Sequence, residues 1–181
     1  YFYFDMRQSQ REPGHNWAAI FDASKVLAFD FEKEGFTAEE MKNVAGIQAS
    51  FFSELYISHL EDENDYLQYQ TYPRICALSE VAWRGQGDEW EPFYNRLTTA
   101  HYSRMEAMGI DFRMMPPTVQ YKDGVLIATT DDRSQIYYTE VGTEGEKLYT
   151  APISTDKPQR FAFRTRRAGA HSPEAAVAGH W

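Results

Sequence analysis

Five side chains could act together: Tyr3, Asp5, Trp17, Phe52 and Glu54. A phenol donates a hydrogen bond and stays neutral at pH 7, so Tyr3 suits a partner that develops partial negative charge. Carboxylates such as Asp5 and Glu54 accept hydrogen bonds from hydroxyls. The flat rings of Trp17 and Phe52 can lie against the apolar faces of a sugar. In extended chain, residues two apart share a face, which pairs Tyr3 with Asp5 and Phe52 with Glu54. Two such segments at the ends of neighbouring inner strands lay out a sugar subsite. Each residue also has a plainer reading. Tyr3 could be a core tyrosine, Asp5 a salt-bridged strand end, Trp17 a loop anchor buried in the core, and Glu54 a solvated loop or capping residue.

The elements that would position these groups follow from pattern. Residues 1–6 and 47–52 are aromatic, strand-like runs, and 26–31 reads as a short extended piece. Gln8 to Asn16 is a polar loop with Pro13 and Gly14, leading to Trp17. Thr37-Ala38-Glu39-Glu40 is a capping box that starts a brief helix, interrupted by Gly46. After an acidic stretch at 59–65, Leu67, Tyr72, Ile75, Leu78, Val81 and Ala82 recur at helical spacing, with Pro73 expected to kink or restart the helix. Gly85-Gln86-Gly87 stops it. Asp88 can cap the next helix, whose buried face is expected to hold Trp90, Phe93 or Tyr94, Leu97, His101, Met105 and Met108 before Gly109 ends it. Strand, helix, strand, helix, helix fits βα units of a parallel sheet covered on both faces.

The texture changes at Met114-Met115-Pro116-Pro117. Short alternating runs follow at 118–121, 125–129, 135–139, 148–149, 159–165 and 175–177, and Asp123-Gly124 is a hairpin signal. Short strands with turns at this spacing predict a β-sandwich. The division expected is therefore 1–113 and 114–181.

Composition narrows the classes. With 43% hydrophobic and 25% charged residues, the chain is an ordinary globular sequence. A net charge of −9 argues against nucleic acid, which needs a basic stripe. The short run Arg164-Thr165-Arg166-Arg167 decorates a strand face. No apolar run reaches membrane-spanning length. The single cysteine, Cys76, cannot form a disulfide within the chain and reads as a small buried hydrophobe. The five histidines, 15, 59, 101, 171 and 180, show no ligand spacing, so neither a metal nor another cofactor is expected. The chain opens on Tyr1, in the middle of a strand-like run, and an upstream segment with any signal peptide is expected to be missing.

Together, Tyr3-Phe4-Asp5-Met6, Trp17, Gly46-Ile47-Gln48-Ala49 with Phe52-Ser53-Glu54, the run from Tyr72-Pro73-Arg74 to Val81-Ala82-Trp83, and Gly109-Ile110-Asp111-Phe112-Arg113 resemble the C-terminal part of a family 20 glycoside hydrolase, the β-N-acetylhexosaminidases. The tail, with Gln135-Ile136-Tyr137-Tyr138-Thr139 and Leu148-Tyr149, resembles the immunoglobulin-like domain that follows the barrel in many members. The resemblance implies an α/β fold, the last two or so βα units of a (β/α)₈ TIM barrel, followed by a small all-β sandwich. It implies substrate-assisted, retaining hydrolysis of terminal N-acetylglucosamine or N-acetylgalactosamine. Tyr3 then matches the tyrosine that orients the acetamido oxygen, Asp5 and Glu54 match carboxylates that take sugar hydroxyls, and Trp17 matches a pocket wall. At Phe52 the family usually has Trp, so an indole N–H is lost, which bears on aglycone and C4-epimer preference. Arg74 and Glu80 match family positions read as a structural pair, a salt bridge or helix cap near the barrel rim. The Asp-Glu acid pair of the family finds no match here, so this chain alone is expected to be inactive.

The partners implied are N-acetylhexosamine-terminated glycans, met in the periplasm or after secretion. An exposed barrel edge at residues 1–6 is expected to promote self-association. The alternative is a non-catalytic carbohydrate-binding or interaction module that works through the β domain.

Overall fold

The structure, a computed structural model, describes residues 2–61, 65–130, 132, 134–167, 170–175 and 177. Tyr1, the middle of the acidic stretch at 62–64, position 176 of the last expected strand, and His180 lie outside the described residues. The chain divides into two compact units, Tyr1–Phe112 and Arg113–Trp181.

In the first unit, helices pack beside short extended segments. Asp22 caps α1 (Ala23–Leu27) by accepting from the Ser24 N–H at 3.0 Å. This helix lies where an extended piece was expected to begin, because the local cap outweighs the β-branched and aromatic content of 26–31. Thr37 and Glu40 form the expected capping box of α2 (Ala38–Met41), which ends well before Gly46. Pro73 does separate two helices, α3 (Tyr66–Thr71) and α4 (Arg74–Arg84), across a cis Tyr72–Pro73 bond. Gly85, in the left-handed conformation, closes α4. Gly87 must be glycine, since a Cβ there would lie 1.9 Å from the Leu27 carbonyl oxygen at the end of α1.

The segment after Gly87 departs from the expected pattern in an informative way. Asp88 accepts from the Glu89 N–H at 2.9 Å, but α5 (Trp90–Arg96) has no side-chain cap from its own N-cap residue, Glu89. A π-helical turn, Leu97–His101, then joins α5 to α6 (Tyr102–Ala107). The wider turn inserts one residue into the 3.6 period and rotates the following face. Phe93, Tyr94, Leu97, Tyr102 and Met105 are buried, whereas His101 and Met108 are exposed.

The inner segments are not regular strands. Residues 3 and 50 form an isolated parallel bridge, with Phe4 N–H donating to the Ser50 carbonyl at 2.7 Å and Ser50 N–H to the Phe2 carbonyl at 2.8 Å. Beyond it, Met6 N–H folds back to the Tyr3 carbonyl at 3.1 Å, closing a turn over Phe4-Asp5. The pairing is parallel, as βα units require. Phe29, Phe31 and Val81 form a core cluster with Phe2, Met41, Val44 and Ile47 against it.

The second unit is all-β. One antiparallel sheet runs β1 (Thr118–Lys122), β2 (Val125–Thr129), β5 (Ile153–Ser154). The other has order β4 (Lys147–Leu148), β3 (Gln135–Glu140), β6 (Phe161–Arg167), β7 (Ala170–His171). Asp123 and Gly124, at φ of 52° and 79°, make the tight β1–β2 turn. Val119, Leu126 and Ala128 from the first sheet meet Ile136 and Phe163 from the second in one core that also takes in Val177. β5 had no counterpart among the expected strands, and Gln159 and Arg160, expected to start one, belong instead to a 3₁₀ turn, Pro158–Arg160, because proline opens it. Ala175 makes a single antiparallel bridge with Phe163. The basic run does lie on β6: Arg164 and Arg166 share a face and both pair with Glu146, at 2.9 and 2.7 Å, while Thr165 is buried opposite. Among the described residues, no helix is long and apolar enough to cross a membrane.

Candidate functional site

The parallel bridge between Tyr3 and Ser50 sets the two aromatic segments side by side. Its consequence is a cluster of three rings. The Tyr3 ring lies 5.7 Å from Trp17 and 5.8 Å from Phe52, centroid to centroid, both tilted. All three face solvent, Tyr3 at 41%, Phe52 at 47% and Trp17 at 66% exposure. These are not core aromatics, so the plainer readings of Tyr3 and Trp17 fail on burial. An exposed cluster of apolar ring faces with a phenol at its centre can pack on a pyranose and donate one hydrogen bond to it.

Asp5 is placed differently from expectation. The turn over Phe4-Asp5 breaks the alternation of an extended strand, so Tyr3 and Asp5 do not share a strand face. Asp5 is 1% exposed, and neither carboxylate oxygen has a hydrogen-bond partner among the described residues. The salt bridge of the plainer reading is absent there. A buried carboxylate without donors is costly, and it becomes favourable when a ligand supplies them. Glu54 is exposed and lies in a turn in which Tyr56 N–H donates to the Ser53 carbonyl at 3.0 Å. It too sits outside a regular strand, so sharing a strand face with Phe52 is not what positions it.

The loop from Gln8 to Asn16 is pinned rather than loose. His15 N–H donates to the Asp5 carbonyl at 2.9 Å, and Arg7 N–H to the His15 carbonyl at 2.8 Å. Gly14, at φ 125°, fits because a side chain there would strike the Arg7 backbone 2.7 Å away. From α3, Gln70 donates to the Pro13 carbonyl at 2.7 Å and the Tyr69 hydroxyl to Glu12 at 2.8 Å. Gln8 reaches the Tyr69 carbonyl at 3.1 Å. Polarity marked this segment as a surface loop, yet Gln8 and Glu12 are buried by these long-range contacts.

Arg74 and Glu80 are not a pair. Glu80 lies on the outside of α4 and bonds Arg84 at 3.2 Å and Arg96 at 3.1 Å, in a network that includes Asp88. Arg74 is fully buried. It donates to the carbonyls of Phe4 at 2.5 Å, Met6 at 2.9 Å, Phe21 at 3.4 Å and Gln70 at 2.8 Å. Its guanidinium lies over the Phe4 and Phe21 rings, 4.8 and 5.1 Å from their centroids. An arginine in the first turn of a helix gave no signal of this, because its partners are far away in sequence. Cys76 is half-buried rather than buried, and burial pushes its thiol up to about 11, which suits an inert side chain.

Comparison with known proteins bears on the first unit. Residues 1–86 match Glycosyl hydrolase family 20, catalytic domain. A beta-hexosaminidase of Akkermansia muciniphila (strain ATCC BAA-835) is 30% identical over 99 residues, which are 54% of this chain and 19% of that protein. The chain thus spans about a fifth of the length of this curated relative.

Proposed function

We propose, from the match of residues 1–86 to the glycosyl hydrolase family 20 catalytic domain, that this chain is part of an exo-acting β-N-acetylhexosaminidase and supplies its sugar-binding residues. The substrate is a glycan ending in N-acetylglucosamine or N-acetylgalactosamine. The reaction is substrate-assisted: the acetamido oxygen attacks the anomeric carbon as the glycosidic C–O bond breaks, and an acid outside this chain protonates the leaving oxygen. Water then opens the intermediate with net retention. Tyr3 donates to the acetamido oxygen and holds it in line for attack. Trp17 and Phe52 wall the pocket. Asp5 and Glu54 accept from the sugar hydroxyls. The first unit is the end of a (β/α)₈ barrel, and the second is an immunoglobulin-like accessory sandwich.

One observation carries this reading: an exposed Tyr3–Trp17–Phe52 ring cluster whose Tyr3 lies two residues from a buried carboxylate, Asp5, that has no hydrogen-bond partner among the described residues. Since Asp5 is 1% exposed, a hydroxyl reaches it only as the surface above it parts. The test is hydrolysis of p-nitrophenyl N-acetyl-β-D-glucosaminide. The 181-residue chain alone gives no turnover, and a longer protein that joins it to the preceding barrel strands does. In that longer protein Tyr3→Phe keeps the ring and lowers kcat by about 10²–10³-fold, the usual cost of one lost donor to a developing charge. Turnover by the isolated chain, or an undiminished Tyr3→Phe variant, refutes the assignment.

A further inference from the structure

We infer that Arg74 is a positioning residue of the proposed sugar site, acting through the backbone on either side of Asp5. This rests on the reading of the site given above. Helical arginines ordinarily extend their head groups to water. Arg74 instead sits wholly inside, at the start of α4. Its Nη2 donates to the Phe4 carbonyl and its Nη1 to the Met6 carbonyl, so the peptide group just before Asp5 and the one that follows Met6 are tied to one rigid guanidinium. Its Nε is in turn held by the Gln70 carbonyl, and Phe4 and Phe21 offer ring faces to the guanidinium plane.

The turn needs this support. Tyr3 to Met6 has one internal hydrogen bond, and its carbonyls at Phe4 and Met6 point inward, where an unmet acceptor is costly. A planar fork of five donors can meet carbonyls in several directions at once, whereas an ammonium on a flexible stem cannot hold the same geometry. The direction of the Asp5 side chain, and the place of Tyr3 beside Trp17 and Phe52, are thereby set from below by a residue about 70 positions away in sequence. Arg74 touches no substrate. Its contribution is alignment, and a displacement on the order of 1 Å at such a site can cost about 10²-fold in rate.

A double-mutant cycle in the longer, active protein tests this, with Arg74→Lys, Asp5→Asn and the pair. kcat and KM for p-nitrophenyl N-acetyl-β-D-glucosaminide are measured on protein shown to be folded by circular dichroism. Arg74→Lys is expected to raise KM and to lower kcat/KM by about 10–100-fold. In the Asp5→Asn background the same change is expected to cost less than about threefold, because the group it aligns is already disabled. If Arg74→Lys does not fold, Phe21→Leu, which removes one ring face and leaves the arginine, carries the same cycle. Additive effects, or a lowered Tm with kcat/KM unchanged, overturn the positioning role while leaving the hydrolase reading intact. An inactive wild-type protein overturns both.

Discussion

Asp5→Asn should make the protein more stable. The wild-type carboxylate is 1% exposed, and neither oxygen has a hydrogen-bond partner among the described residues. An unmet buried polar group costs about 1–3 kcal/mol, and more when charged. Asparagine keeps the size and shape and removes the charge, but its amide is also unmet, so the gain is about 1–3 kcal/mol rather than a multiple of it. The unit that holds Asp5 runs from Tyr1 to Phe112, a size at which 1 kcal/mol shifts Tm by roughly 4 °C. The rise expected is therefore roughly 4–12 °C. Thermal melts of the 181-residue chain and its variant, followed by far-ultraviolet circular dichroism at pH 7, measure it. A site kept for ligand binding at a cost in stability gives this sign. A variant that melts lower than wild type would show that the carboxylate is satisfied in the folded protein, and the case for a ligand supplying its donors would collapse.

Other outcomes are equally specific. Phe163 is fully buried at the centre of the second unit, and Phe163→Ala should cost about 3–5 kcal/mol there, seen as lost hydrogen-exchange protection in β3 and β6 while α4 amides keep theirs. Gly87→Ala must displace the Leu27 carbonyl and should lower the melting temperature by several degrees, which calorimetry would register. With its thiol raised from 9.0 to about 11 by burial, Cys76 should be alkylated by iodoacetamide at pH 8 about a hundredfold more slowly than in urea-unfolded chain, and equal rates would contradict its burial. The Glu89 N–H, followed by Arg84 and Arg96, holds Asp88 below its usual value. Its contribution is thus present above the unfolded carboxylate value near 4 and is lost as pH falls through the lower folded value. Urea midpoints of wild type and Asp88→Asn should differ at pH 7 and converge near pH 2, and a constant gap would refute the assignment.

Features that depend on a few adjacent residues were legible without coordinates. Thr37 and Glu40 close a capping box across one helical turn, Pro73 divides two helices, and Asp123-Gly124 turns a hairpin, because each rests on local torsions and contacts within three or four positions. The same holds for the change of texture near residue 114, where helical spacing gives way to alternation. Residues 3, 5, 17, 52 and 54 could be named from type and order, but not their arrangement. Only the folded chain brought the rings of Tyr3, Trp17 and Phe52 together, turned the segment at Phe4-Asp5 so that Asp5 went inward, and sent Arg74 to carbonyls 68 and 70 residues away. A π-helical turn likewise moved the buried face onto Tyr102. Residue type and short spacing encode torsional preference and hydrophobic period. Which buried carbonyl meets which distant donor is settled by competition among all the polar groups the core must satisfy at once, and that sum exists only in three dimensions.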